Sequence, residues 1–171
     1  MSRRPPPPAL KDLPQGDMTT ALAMAQRCRD VGEPEEAESI CLDILASEPG
    51  NQQACVNLVL ARTDLLDRGL PTGVASARDA LAEVTGEYDR AYYDGLICER
   101  RARYLLRARG RQSSFVAWEW FGYAMDRFKE AARIEPDRIE PILRFNTCVR
   151  FLQANPQCGP DPDEGEVADI E

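Results

Sequence analysis

Between residues 17 and 153 apolar positions recur every three or four residues, and no stretch alternates apolar with polar as a half-buried strand would. This period predicts seven helices. Asp17 is placed to cap the first, which runs to about Val31 and is closed by Gly32. Pro34 opens the second from a first-turn position among Glu33, Glu35 and Glu36, and that helix ends near Ser47, ahead of Pro49. Asn51 caps a third that reaches about Leu66, and a loop at Gly69–Gly73 leads to a fourth over 74–84. The fifth is long, from Tyr88 to about Arg109. A break at Gly110–Ser114 precedes a sixth over 115–134, and Pro136-Asp137 starts a seventh that ends near Gln153. The connections are short, so successive helices should pack antiparallel.

Two of these helices share one pattern. Ala37, Cys41, Ile44 and Pro49 stand at the same offsets as Ala124, Phe128, Ala131 and Pro136. A small residue allows close helix approach, and the residues four and seven further on lie on the same stripe. Proline then ends the helix, because the residue before it avoids the α region. The pattern resembles the second helix of a tetratricopeptide repeat, with its A-x-x-x-F…P signature and period of about 34 residues. Ala21, Met24, Ala25 and Cys28 match the first helix of such a repeat in kind though not in bulk, Gly32 matches the inter-helix glycine, and Cys55, Leu58 and Val59 fit the start of the next. The clean copies lie 87 residues apart, which is not a multiple of the period, so the middle is irregular. The resemblance implies an all-α right-handed superhelix of antiparallel helix pairs, with helices one, three, five and seven lining a concave face. Its carboxylate-gripping clamp does not carry over. The inward positions here are Leu22 and Gln26 in the first repeat and Val56 and Leu60 in the second, with Asn57 beside them, and none is Lys. The implied groove is mixed, apolar and polar.

The ends differ from the body. Residues 1–16 are proline-rich without apolar periodicity and read as a flexible arm. Residues 154–171 carry Asp161, Asp163, Glu164, Glu166, Asp169 and Glu171 and no base, which reads as an unfolded acidic tail. With +2 on the first segment and −6 on the last, the total of −8 leaves −4 on the body, which argues against general binding to nucleic acid or anionic membranes. No apolar run approaches the roughly 20 residues a membrane-spanning helix needs, and no signal-peptide core is present, so a cytoplasmic protein is expected.

The chain has six cysteines and no histidine. No two cysteines form a C-x-x-C pair, and most fall inside helical patterns, so they read as small buried thiols rather than disulfides or metal ligands. No nucleophile with its base is legible, nor a phosphate loop, so no enzymatic function, cofactor or metal is expected.

Two clusters remain as candidates for binding. Arg100, Arg103, Arg107 and Arg111 lie within one stripe of the fifth helix, with Cys98, Ala102, Leu105 and Leu106 opposite. Such a stripe is a solvated face neutralised by neighbouring acids, a site for a carboxylate-rich peptide, or a dock for the acidic tail. In the sixth helix Trp118, Phe121, Met125 and Phe128 follow core spacing. Trp120, Tyr123 and Arg127 fall on the other side, as a contact patch or a second covered face. The expected function is therefore a protein–protein adaptor or scaffold that holds a peptide or a partner's helix. The rivals are a small chaperone for a secreted or assembling client, and a structural subunit whose Trp120, Tyr123 and Phe151 form an exposed apolar patch. Nucleic acid is the least expected partner, and a homo-oligomer is compatible with the sequence.

Overall fold

The computed structural model describes residues 8–66, 73–108 and 110–160, the side chains of Gln15 and Arg111 excepted. Residues 1–7 of the proline arm, 161–171 of the acidic tail and 69–72 of the Gly69–Gly73 loop lie outside these residues. Those described form seven α-helices, one short 3-10 turn at Gln15–Asp17 and no strand: the protein is all-α. Among the described residues, no helix is long and apolar enough to cross a membrane.

Helix α1 spans Met18–Asp30 and α2 Pro34–Ser47. Asp17 makes no capping bond to α1; its amide instead donates to the Pro14 carbonyl in the 3-10 turn. Between α1 and α2, Gly32 adopts φ +81° while its amide bonds the Arg29 carbonyl and the Glu33 amide bonds that of Cys28. This is the left-handed helix end that glycine enters without steric cost. Helix α3, Gln52–Leu66, is capped by Asn51, whose Oδ1 accepts from the Ala54 amide at 3.0 Å. Helix α4, Gly73–Ala82, is short, and Gln52 reaches across to the turn that follows it, accepting from the Thr85 amide at 2.9 Å.

Helix α5 spans Glu87–Arg107 and α6 Arg111–Ile134. Of the break expected at Gly110–Ser114 only Gly110 lies outside a helix, and α6 begins at Arg111. Ser113 Oγ and the Ser114 amide both bond the Gly110 carbonyl, which draws the serines into the first turn of α6. Helix α7 begins at Glu140 rather than at Pro136-Asp137 and runs to Ala154, with Pro141 in its first turn. Packing continues past the expected boundary at 153: Cys158 is buried and contacts the Ser114 carbonyl at 3.3 Å.

Consecutive helices pack on one another, and α1 also packs on α3, as α3 does on α5. The matched positions behave alike: Ala37, Cys41, Ile44, Ala124, Phe128 and Ala131 are all fully buried. Both helices end on a glutamate before proline with near-identical dihedrals, Glu48 at φ −132°, ψ 80° and Glu135 at φ −127°, ψ 83°. Gly95 sets the closeness of α5 and α6, since a Cβ there would stand 2.6 Å from the Phe128 ring. Trp118, expected in the core, is 37% exposed. The buried stripe of α6 is Ala117, Phe121, Ala124, Phe128 and Ala131, and Trp118 stands one residue, about 100°, to its side. Ala117 takes the buried position instead.

Candidate binding face of the odd-numbered helices

Neighbouring helices run antiparallel, so α1, α3 and α5 point the same way and their N-terminal halves lie side by side. There Leu22 and Ala23 of α1, Gln52, Val56 and Asn57 of α3 and Asp89 of α5 line an open groove of about 430 Å³. Three of the inward positions implied by the repeat resemblance, Leu22, Val56 and Asn57, thus meet in one hollow. The other two do not line it. Gln26 is exposed and donates to Asp30 at 2.8 Å, and Leu60 turns into the apolar cluster around Phe121 and Phe128.

Seven residues on is two turns of helix, so a side chain seven positions further along stays on the same face. From Leu22 that step leads to Arg29, and from Asn57 to Asp64. Both belong to a cluster of charge on the C-terminal side of the groove. Asp64 accepts from Arg29 at 2.9 Å and pairs with Arg100 as well. Beside it, Glu99 is fully buried, pairs with Arg103 and lies 3.7 Å from Arg144 of α7. Four guanidinium groups thus surround two carboxylates. Burial, followed by the repulsion of Arg29, Arg144 and Arg103, pulls the Arg100 pKa down to about 10, and the group still carries its charge at neutral pH. The Phe151 ring packs beneath Arg103, 4.2 Å from its guanidinium carbon.

The expected four-arginine stripe therefore divides. Arg100 and Arg103 are half-buried in ion pairs with α3 and with their own helix, Arg107 is exposed, and the Arg111 side chain lies outside the described residues. Arg29, Asp64 and Arg144 escaped the sequence reading. The heptad step from Leu22 and Asn57 would have found the first two, whereas nothing local marks Arg144.

A second groove, of about 670 Å³, opens between α4, α5 and α6. Asp94 holds Arg78 and Arg127 there, each at 3.1 Å, and Arg78 lies 5.6 Å over the Trp120 ring. Trp120 is half-buried against Tyr123 and Phe151 is half-buried against Phe121, so only Tyr123, 56% exposed, remains of the apolar patch expected of a structural subunit. Among the described residues, Ile139, Ile142 and Leu143 form an exposed apolar group where α7 begins, beside an apolar hollow of about 200 Å³.

All six cysteines are unbridged, five of them buried. Burial raises Cys41 to about 11 and Cys98 and Cys148 to about 12, which keeps those thiols protonated and poor as nucleophiles or ligands. Among the described residues no three His, Cys, Asp or Glu side chains group as a metal site. No protein-family model, curated protein or solved structure matches the chain.

Proposed function

We propose that the chain is a non-enzymatic adaptor that binds a peptide or a partner's helix along the odd-numbered helices of a short, tetratricopeptide-like right-handed superhelix. The observation that carries this reading is the convergence of Leu22, Val56 and Asn57, from two helices, on one groove that continues into a cationic cluster. A preformed surface with apolar floor and polar rim suits extended-peptide or helix-in-groove capture. The unbridged, buried thiols accord with a reducing compartment such as the cytoplasm.

The test is site-specific photocrosslinking in the native host, with benzophenone at Asn57 and, as control, at exposed Ser39 on α2. One partner captured at residue 57 and not at 39 is the expected result. Capture at 39 alone would move the site to the even-numbered helices and refute the reading. A second reading, a structural subunit or a chaperone holding an apolar client, is favoured by Ile139, Ile142 and Leu143. Under it Ile142→Asp abolishes assembly or client capture while the Asn57 crosslink is unchanged.

A further inference from the structure

The cluster on the odd-numbered helices has a charge excess that the rest of the molecule makes unusual. Four arginines face Asp64 and Glu99, with Asp30 near Arg29 as a third acid, in a chain of net charge −8. The two most open guanidinium groups are those of Arg103 and Arg144, and the Nε of Arg103 is enclosed without an acceptor. Planar guanidinium forks in such a setting favour bidentate carboxylates.

The chain carries a matching anion. Residues 161–171 hold six acids and no base. They leave the described fold at Pro160, two residues after Cys158 is seated on Ser114. Gly95 faces Phe128 and Asp94 pairs with Arg127, so Ser114 stands about level with Arg107, one turn beyond Arg103. Phe151, seven residues before Cys158, packs on Arg103 from the last turns of α7. Arg144 lies ten residues, about 15 Å of helix, before the end of α7, and eleven extended residues span up to roughly 36 Å, enough to reach back to it.

We infer that the acidic segment 161–171 docks in cis on the Arg103–Arg144 side of the cluster, where an acidic partner segment must compete with it. The inference rests on the adaptor reading only for its last clause; the docking itself needs no partner.

The test uses the full chain and a full chain neutralised by Asp161→Asn, Asp163→Asn, Glu164→Gln and Glu166→Gln. The probe is a fluorescein-labelled synthetic peptide of residues 161–171, followed by anisotropy. The peptide should bind the neutralised chain on the order of tenfold more tightly than the unaltered one, because a tethered competitor acts at millimolar effective concentration. Binding should weaken severalfold in about 0.5 M NaCl. In the neutralised background Arg144→Ala should weaken it severalfold too. That variant is preferred to Arg103→Ala, which would strip the closer partner from buried Glu99, and circular dichroism checks that it folds. Equal affinity for the two chains overturns docking in cis, and no binding to either overturns the anion site. Binding indifferent to salt and to Arg144→Ala places the contact elsewhere and overturns the assignment. None of these outcomes bears on the Asn57 crosslink, so the two readings fail separately.

Discussion

Helix α2 and helix α6 bury the same stripe, Ala37, Cys41 and Ile44 in one and Ala124, Phe128 and Ala131 in the other, and stop at the same glutamate–proline step. Their partner helices have little in common. Helix α1 is 13 residues long, buries Met18, Ala21 and Ala25, and leaves its polar side in water. Helix α5 is 21 residues long and is buried all round from Gly95 to Glu99, because α3, α4 and α6 all pack on it. Polar side chains on its enclosed stretch must then find partners inside the protein, and Glu99 does so with Arg103 and Arg144. A shared outer helix therefore leaves its inner partner free to become either an exposed groove wall or a charged centre, according to position in the stack.

Truncation at the matched register is the strongest way to break this comparison. Phe128→Ala should cost about 3–5 kcal/mol through lost transfer energy and a cavity, against about 1 kcal/mol for Cys41→Ala, both read from urea unfolding. Similar losses at the two sites would mean that the outer helices are not equivalent in packing.

The inner helices come next. Glu99→Gln should destabilise by about 2–3 kcal/mol, less than for a fully buried ion pair because Arg103 and Arg144 reach solvent. Gln26→Ala, at an exposed position of α1, should stay within about 0.5 kcal/mol.

The buried thiols sharpen the comparison through pH. Cys41 is raised to about 11 and Cys98 and Cys148 to about 12 from an ordinary 9.0, so in alkali the unfolded chain loses protons that the folded chain keeps. Their contribution is complete below about pH 8 and declines above it, with about 2 kcal/mol lost by roughly pH 9.5. The decline due to Cys41 should level off one pH unit below that of the α5–α7 thiols. An unfolding midpoint that rises over this range would contradict the sign.

The smallest effects contrast two glycines of the α5–α6 pair. Gly95→Ala should cost about 1 kcal/mol, the clash with the Phe128 ring outweighing the gain in helix propensity. Gly122→Ala, whose Cβ would meet nothing within 4 Å, should gain up to about 1 kcal/mol. Thermal melts of the two variants should move in opposite directions.

Helix count, the Gly32 turn, the Asn51 cap and the buried stripes of α2 and α6 were legible because each depends on residues within a turn or two of one another. The groove residues were legible in part. Leu22, Val56 and Asn57 have the spacing of a face, whereas Leu60, on the same reasoning, turned inward once α5 and α6 supplied an apolar surface beside it. Trp118 failed because several apolar stripes can be drawn through α6, and the packing chose the one through Ala117, Phe121 and Ala124.

From its own residues the chain determines that it is helical, where its outer helices turn, and which of their positions are hidden, because a 3.6-residue period and proline or glycine punctuation act locally. The tertiary structure alone decides that a row of arginines spaced along one helix becomes two ion-paired groups shared among α1, α3, α5 and α7. Charges pair across space with whatever the packing brings near, and neither the distance to Asp64 nor the approach of Arg144 is encoded in any window of sequence.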